Sequence, residues 1–446
     1  MTAAKWASAE EHSLGAAGGV GRRAATKLLS WPLVISAIVL LAFGLRMSSY
    51  LEAPRPIEGG GLVAEQGELA RNIVDHGKWF TANRKAVHAI NQRQNREGQL
   101  VNPSEFDYSR FDSNASYTPE IQQMPGLGVV LAGLWWIGGT KTYSTIQWLQ
   151  IVLDTSLVLL IYWIALRFGL RRRPAAAAAL LYAVWPAAIV VSKRPMLDTW
   201  AGFFTIWCLA VFVLARESER ERRWLILLGL LTGIGIYFRP FLFFLPIALA
   251  LLATPGGGWR RRFVWAAVPS LIALCVLAPW TIRNYAEFHR FIPTRAGLGY
   301  ALYLGIGEAS SDAEATKIVQ KHKPGVRGLA PESDEFLLRR AFDTITSDPV
   351  GYLHLIAPRL LFLLPCVLVI VLWRRWKTES LMLLAVAVAT IVPFIPIGGD
   401  TRFYLPAAFA YLIMLTMVGV VVVSVLRRWL TSPEVPRMLS RPFKSS

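Results

Sequence analysis

The residues best suited to chemistry are ionisable side chains that stand inside or at the ends of long apolar runs. They are Arg46, Asp154, Asp198, Arg239, Arg283, Arg359, Asp400 and Arg402. Charge is costly in a segment that spans a membrane, so each of these residues is a candidate functional group. The arginine fork binds phosphate oxygens in pairs, and a carboxylate can act as general base on a hydroxyl or an amine. This set indicates a site for a phosphate-bearing lipid.

Structural explanations compete with this interpretation. Arginine near the end of a span often extends its charge to the membrane interface without binding anything. Asp154 is better explained as a hydrogen-bonding group between helices than as a catalytic acid. Asp198 follows a proline at the start of an apolar run, so it could act only as a helix N-cap.

A polar segment supplies a second group of acids. Residues 59–80, GGGLVAEQGELARNIVDHGKWF, place Glu65 and Glu68 three residues apart. This spacing predicts a short helix that Gly77 ends, with both acids on one face. Two neighbouring carboxylates can raise the pKa of one of them, which would suit a catalytic acid or base. The alternative is an amphipathic surface helix with solvated acids.

Composition indicates a membrane protein that carries these groups on a helical frame. The chain has 446 residues, of which 54% are hydrophobic and 17% charged, and it contains 17 Trp and 26 Pro. Its mean hydropathy is +0.42. These values argue against a disordered chain, a coiled coil and an ordinary soluble enzyme. The predicted fold class is therefore an all-α polytopic membrane protein.

Eleven apolar runs are candidate helices of the membrane domain. They are residues 30–51, 125–139, 146–166, 175–192, 196–215, 224–238, 241–254, 263–282, 357–373, 380–397 and 404–426. A spanning helix needs about 20 residues. Run 125–139 is short and begins with Pro-Gly, which predicts a re-entrant or juxtamembrane helix and leaves ten crossings.

The basic residues orient these crossings. The net charge is +18, and most of the excess lies in short loops between apolar runs. If the N-terminus is cytoplasmic and 125–139 does not cross, every basic cluster falls on the cytoplasmic side. Residues 1–29 and 427–446 are then cytoplasmic tails that flank a membrane domain at 30–426. The positive charge indicates anionic lipid, and not nucleic acid, as the partner of this face.

Both long polar stretches, 52–124 and 283–356, then lie outside the cell membrane as outer loops one and two. Outer loop one carries eight basic and ten acidic residues, so it has no part in the positive excess. Most of the candidate charges also lie near this outer face.

Several segments resemble one known group of enzymes, the polyprenyl-phosphate-sugar-dependent membrane glycosyltransferases of the type C superfamily. The nearest branch is that of the protein O-mannosyltransferases and the lipid A aminoarabinose transferase. The segments, in chain order, are LAFGLRM, EQGELARNIVDHGKWF, MPGLGVVLAGLWWIGG, RPMLDTWAGFFT, GLLTGIGIYFRPFLFFLP, APWTIRNYAEFHRFIPTRAGLGYALYLG and DTRFYLPAAFAYL. Together they extend from residue 40 to about residue 415.

The resemblance implies a site at the outer membrane face. An acid of outer loop one, Glu65 or Glu68, would act as base or position the acceptor, and Asp198 would support the site. Arginines would hold the donor phosphate; the residues that match are Arg239, Arg283, Arg402 and, at the end of the first span, Arg46.

The chain departs from these relatives at two places. Many relatives carry an acid eight residues before the Ala of the ARN sequence, where this chain has Leu62. Glu65 is one helical turn away and could reach the same space if the helix is regular. Because the acid does not stand at the usual position, Glu68, Glu58 and Asp198 stay open as alternatives for the base. The Pro-led segment reads Met-Pro-Gly-Leu-Gly at 124–128, where relatives often show Pro-Pro-Leu-Tyr-Pro.

The sequence therefore predicts an inverting glycosyl transfer at the outer face of a bacterial inner membrane. The donor is a polyprenyl-phosphate-linked sugar, and the acceptor is a glycan, a glycolipid or a glycoprotein of the cell envelope. Two carboxylates and a phosphate would also suffice to bind a divalent metal, so that cofactor stays open. Two other functions compete: a flippase for lipid-linked glycan, and a non-catalytic component of an envelope-polysaccharide complex.

Overall fold

The computed structural model describes residues 20–57, 60–112, 117–254, 256, 258–326, 330–398 and 405–430, with side chains from 31 to 427. The described residues form helices and one small two-stranded antiparallel sheet. The helices of the membrane domain are α1 (Val20–Glu52), α4 (Gly126–Gly138), α5 (Ser144–Arg167), α6 (Arg172–Ala183), α7 (Pro186–Ser192), α8 (Leu197–Glu217), α9 (Glu221–Ile236), α10 (Phe244–Ala253), α11 (Trp259–Phe288), α16 (Leu368–Ile391) and α17 (Leu405–Leu430). Outer loop one contains α2 (Gly60–His76), β1 (Thr81–Asn83), α3 (Arg84–Glu97) and β2 (Tyr117–Pro119), and outer loop two contains α12 (Leu298–Gly305), α13 (Asp312–His322), α14 (Pro331–Ser347) and α15 (Pro349–Ile356).

The apolar helices confirm the predicted fold class. Among the described residues, six helices are long and apolar enough to cross a membrane, or seven if the bent pair α6 and α7 counts as one span. Two shorter apolar helices cover 126–138 and 240–253. The count of ten crossings stays a prediction, because α9 and α10 are shorter than a typical span.

Some predicted boundaries are wrong, and local geometry explains why. Run 175–192 is bent by 52° where Pro186 starts a new helix, because proline cannot continue the preceding helical hydrogen bonds. Run 263–282 continues as a helix to Phe288, so outer loop two begins six residues later than predicted. Residues 357–367, the first part of run 357–373, are 3-10 helix. Helix α16 joins the rest of that run to residues 380–391 through a kink at Trp376.

Helix α4 packs along α2 in outer loop one. Near its start, Gly128 N donates to Gln66 Oε1 over 2.7 Å. Just after its end, Lys141 forms an ion pair with Asp75, at the other end of α2. Since α2 contacts both ends of α4, and 13 residues extend only about 20 Å, the structure supports the prediction that this helix does not cross.

The glycines of the Pro-led segment allow this close packing. A Cβ at Gly128 would lie 2.6 Å from Leu69 Cδ2, and one at Gly126 would lie 2.6 Å from the carbonyl oxygen of Tyr237. Gly126 N in turn donates to that carbonyl over 2.9 Å. Gly126 and Gly128, which distinguish this segment from the Pro-Pro-Leu-Tyr-Pro of relatives, thus allow close contacts. The contact of Gly126 with Tyr237 brings the start of α4 against the end of α9.

A pair of small residues brings α9 against α11. A Cβ at Gly229 would lie 2.7 Å from Ile272, and one at Gly233 would lie 2.6 Å from Val276. This four-residue glycine spacing lets two helices approach closely in a membrane. The contact fixes the segment that follows α9, which carries Arg239, relative to the outer end of α11.

Candidate active site

Glu65 lies on α2, within the helix that the sequence predicted and that ends at Gly77, where φ is +61°. Its side chain is 16% exposed, and its Oε1 accepts from Arg84 Nη1 over 3.1 Å. Burial is the main cause that raises the pKa of Glu65 to about 7; the charge of Glu120 adds to it and Arg84 opposes it. A carboxyl group that titrates near neutral pH is suited to general base catalysis.

Glu120 is the acid that faces Glu65 across Arg84, and the sequence analysis missed it. Its Oε2 accepts from Arg84 Nη2 over 2.7 Å. Its Oε1 accepts from the backbone N–H groups of Ile121, Gln122 and Gln123. Four donors thus hold Glu120 in place beside Glu65. The predicted pairing of Glu65 with Glu68 as the cause of a raised pKa was wrong.

Asp198 and Arg239 form the second part of the site. Asp198 lies in the first turn of α8, its side chain is 2% exposed, and Arg239 Nη2 donates to its Oδ1. The N-cap residue of α8 is Met196, so the interpretation of Asp198 as an N-cap is wrong. Arg239 lies in extended backbone between α9 and the turn at Pro240–Phe243, at the junction of the predicted runs 224–238 and 241–254.

Arg295, from the segment after α11, joins the two parts, and the sequence analysis did not select it. Its Nη1 donates to the carbonyl of Gln122 over 3.2 Å, and Ala296 N donates to Ile121 O over 2.9 Å. Burial, together with the like charge of Arg239, lowers the pKa of Arg295, while Glu65 is among the acids that raise it. The site thus combines Glu65, Glu120 and Asp198 with Arg84, Arg239 and Arg295.

Arg283, predicted to bind phosphate, holds outer loop one against α11. Its Nη1 donates to Glu120 O over 2.6 Å, and its Nη2 donates to Phe80 O over 2.7 Å. The guanidinium also lies 5.0 Å from the centre of the Trp280 ring. Because both terminal nitrogens are used in this way, we assign Arg283 to positioning and not to phosphate binding.

Glu68 is not placed to act as a base. Its side chain is fully buried, and both of its oxygens accept from Arg71, at 3.1 and 3.2 Å. Asn72 Nδ2 and the backbone N–H of Asn83 also donate to Glu68. Burial raises its pKa, yet these donors leave it no route to an acceptor. We therefore treat Glu68 as a structural acid that ties α2 to β1.

Arg46 lies inside the helix bundle, where its partner is Asp154. It is fully buried, and its Nε donates to Asp154 Oδ2 over 2.5 Å. This pair confirms the interpretation of Asp154 as a hydrogen-bonding group between helices, and it removes Arg46 from the arginines we assign to phosphate. The other predicted residues, Arg402, Asp400 and Glu58, lie outside the described residues.

The donor set does not fit a metal held by protein side chains alone. Within the described ranges, no three His, Cys, Asp or Glu side chains converge. Arg84 already contacts both Glu65 and Glu120, the two carboxylates that meet at the site. The reaction proposed for this site therefore assigns no role to the divalent metal that the sequence analysis considered as a cofactor.

Comparisons with known proteins give a family match and a similar fold. Residues 125–282, about a third of the chain, match the family of dolichyl-phosphate-mannose-protein mannosyltransferases. The undecaprenyl phosphate-alpha-4-amino-4-deoxy-L-arabinose arabinosyl transferase of Erwinia tasmaniensis is 27% identical over 167 residues. That match covers 34% of this chain and 29% of the relative, so the chain spans less than a third of the relative's length.

The fold is similar to that of an archaeal oligosaccharyltransferase from Archaeoglobus fulgidus, solved in complex with an inhibitory peptide and a dolichol-phosphate. The TM-score is 0.52 at 14% identity, over 91% of this chain and 52% of that chain. A second structure of the enzyme, with Zn and sulfate, gives 0.50 at 15% identity over 92% and 51%. The resemblance drawn from the sequence is confirmed: the chain has the fold of the type C membrane glycosyltransferases, and residues 125–282 match their protein mannosyltransferase family.

Proposed function

We propose that this protein transfers a sugar from a polyprenyl-phosphate carrier to an acceptor at the outer face of a bacterial inner membrane. The observation that carries the proposal is Glu65, a partly exposed carboxyl group whose pKa burial raises to about 7, next to a cluster of arginines. Such a transfer has two requirements: a base that titrates near the working pH, and groups that bind the donor phosphate.

The proposed reaction is a single inverting displacement. A hydroxyl or amine of the acceptor attacks the anomeric carbon of the sugar while Glu65 takes its proton. The bond between that carbon and the phosphate oxygen breaks, and polyprenyl phosphate leaves with the bonding electrons and one additional negative charge. Arg239 and Arg295 supply the positive charge that would stabilise the leaving phosphate. Such electrostatic stabilisation is usually the largest contribution to catalysis of this kind.

The arrangement favours Glu65 over Asp198 as the base. Asp198 is almost fully buried and paired with Arg239, so proton transfer from an acceptor would have to break this ion pair. Glu65 keeps a solvent-accessible edge and shares Arg84 with Glu120. In this proposal Asp198 orients Arg239 towards the donor phosphate.

The names of the relatives support the class of donor. Dolichyl phosphate appears in the name of the matching family, and undecaprenyl phosphate in that of the Erwinia relative. The sugar and the acceptor of this chain are not inferred from them, since the match covers a third of the chain. The proposal keeps both tails cytoplasmic, with anionic lipid as the partner of the basic loops.

A flippase for lipid-linked glycan is the second candidate, and the contacts argue against it. A flippase needs a polar path through the membrane interior. The buried ion pair of Arg46 with Asp154 is held by Ala42 O, Ala183 O and Tyr182 Oη, and the cavity beside it is too small for a sugar or a phosphate. The third candidate, a scaffold without activity, predicts that substitutions of Glu65 and of the site arginines leave the protein's function unchanged.

The experiment is transfer by the purified protein in lipid from a panel of radiolabelled polyprenyl-phosphate sugars, with a membrane extract as the source of acceptors. We expect one donor to give a labelled product that is lost in Glu65→Gln. The matched control is Glu97→Gln, on the same outer loop, where the acid pairs only with Arg93 at the surface. Translocation of lipid-linked glycan without any labelled product would contradict the proposal.

A further inference from the structure

The buried ion pair of Arg46 and Asp154 joins three helices and has no part in the site described above. Arg46 Nη1 donates to Ala42 O on α1 and to Ala183 O at the end of α6, over 3.1 and 3.0 Å. Asp154, on α5, also accepts from Tyr182 Oη over 2.7 Å. Arg46, Asp154 and Tyr182 therefore form one rigid polar cluster, here called the inner cluster.

A cavity separates the inner cluster from Asp198. Its lining includes Asp154 and Tyr182 on one side and Asp198, Thr199 and Gly202 of α8 on the other. The cavity has a volume of about 20 Å³, where one water molecule needs roughly 10–15 Å³. It is therefore large enough for a water molecule and too small for a sugar or a phosphate.

One carboxylate oxygen of a residue that lines this cavity, Asp198 Oδ2, is buried and makes no hydrogen bond to the described residues. Arg46 Nη2, in the inner cluster, and Thr155 Oγ1, next to Asp154 in the chain, are buried and without a hydrogen bond in the same part of the structure. Asp198 is 3% exposed, so its second carboxylate oxygen is withdrawn from bulk solvent. Buried polar atoms are satisfied in the great majority of cases, by protein or by an ordered water molecule.

We propose that a water molecule bound in this cavity donates one hydrogen to Asp198 Oδ2 and the other to Asp154. Through this bridge the inner cluster fixes the orientation of Asp198, and Asp198 fixes Arg239. Arg46, Asp154 and Tyr182 are then positioning residues for the donor phosphate site, although none of them touches the phosphate. This inference rests on the proposed function for its consequence and on the cavity for its geometry.

The charged side chains beside the cavity favour a neutral ligand, because each carboxylate already has an arginine partner. Asp154 is balanced by Arg46, and Asp198 is balanced by Arg239. A cation in the cavity would leave one uncompensated positive charge, and an anion would meet two carboxylates. Water, which donates to both acids, is the ligand whose chemistry matches.

Gly202→Ala tests the inference with little disturbance to the protein. A Cβ at Gly202 would have no atom other than its immediate neighbours within 4 Å, so the methyl group enters the cavity without a clash. Gly419→Ala in α17 is the matched control, because its Cβ also meets nothing within 4 Å and the position is exposed. Tyr182→Phe is the second variant, since it removes only the hydroxyl that donates to Asp154.

Binding of undecaprenyl phosphate to the purified full-length protein in lipid is measured by calorimetry, with the Tm and transfer rate of the same preparations. We expect Gly202→Ala and Tyr182→Phe to weaken this binding about tenfold, the value of one hydrogen bond. The Tm of Gly202→Ala should not fall, and Gly419→Ala should bind like the wild type.

Two results would overturn the inference: wild-type binding by both variants, or the absence of density between Asp154 and Asp198 in an experimental structure that resolves buried waters. Lack of binding by the wild-type protein would also overturn it. If the wild type binds the lipid phosphate but transfers no sugar, the proposed function fails, and the binding comparison still decides the inference.

Discussion

Glu120→Gln removes one negative charge beside Glu65, and it should move the acid limb of the transfer pH profile to lower pH. Glu65 acts as a base only when it has lost its proton, so the rate falls as the pH drops below its pKa. The charge of Glu120 contributes to raising that pKa above its ordinary value. Glutamine keeps a carbonyl oxygen that can accept from the backbone N–H groups of residues 121–123.

The size of the change follows from the shared arginine. Arg84 contacts Glu65 over 3.1 Å and Glu120 over 2.7 Å with its two terminal nitrogens. The two carboxylates are then on the order of 6 Å apart, and at an effective dielectric constant of about 20 to 40 they repel by roughly 1.5–3 kcal/mol. At about 1.4 kcal/mol per pH unit, the limb should move down by about one to two pH units. Burial is unchanged, so the pKa should stay above its ordinary value.

The assay is the single-turnover transfer rate at saturating donor, measured from pH 5 to 9 at constant ionic strength. Arg84→Met should move the limb in the opposite direction, because Arg84 lowers the pKa of Glu65. Glu105→Gln is the control, since Glu105 is a surface acid of the same loop and pairs with Arg55. An unchanged limb in Glu120→Gln, or a limb moved to higher pH, would refute the electrostatic argument.

Three further predictions follow from the contacts of the site. Arg295→Met should raise the KM for the donor about tenfold in initial-rate measurements, because one buried charge-assisted contact is lost; an unchanged KM would remove Arg295 from the phosphate site. Glu68→Gln should lower the free energy of unfolding by about 3 kcal/mol, because it leaves buried Arg71 poorly paired; a thermal scan with a wild-type Tm would contradict this. Addition of EDTA should leave the transfer rate within about twofold, since no three acidic, His or Cys side chains converge among the described residues; loss of activity that added Mg²⁺ or Mn²⁺ restores would show the opposite.

The sequence predicted the helices and their ends better than it predicted the contacts between them. The three-residue spacing of Glu65 and Glu68 and the following Gly77 predicted α2 and its end, because a helix face and a positive φ are local properties. Arg239-Pro240, between runs 224–238 and 241–254, marked a break for the same reason, whereas the break at Pro186 inside run 175–192 was missed. The bend of α6 against α7 depends on packing with other helices, and no short segment of sequence encodes it.

The candidate site was harder to predict. The search for charges in apolar runs found Asp198 and Arg239 but omitted Arg84, Glu120 and Arg295, which lie in the polar loops. Arg84 contacts Glu120 within outer loop one, and contacts to the backbone carbonyls of residues 121 and 122 bring the segment that carries Arg295 to the same loop. The weak signal for Arg295 was its place in the APWTIRNYAEFHRFIPTRAGLGYALYLG segment.

Arg283 and Arg46 show why residue type alone does not assign a role. Both are arginines near span ends, as a phosphate ligand would be. Arg283 donates to two carbonyls of outer loop one, and Arg46 is buried against Asp154. Their partners are more than 100 residues away in the chain, so only the fold reveals that these charges are already satisfied.

The central claim is that Glu65 removes the acceptor proton, and Glu65→Gln tests it most directly. We would measure single-turnover transfer and polyprenyl-phosphate binding for the wild type and Glu65→Gln in the same lipid. The account predicts a rate at least about 100-fold lower with donor binding unchanged, because Glu65 does not hold the phosphate. Transfer by Glu65→Gln at the wild-type rate would contradict the account.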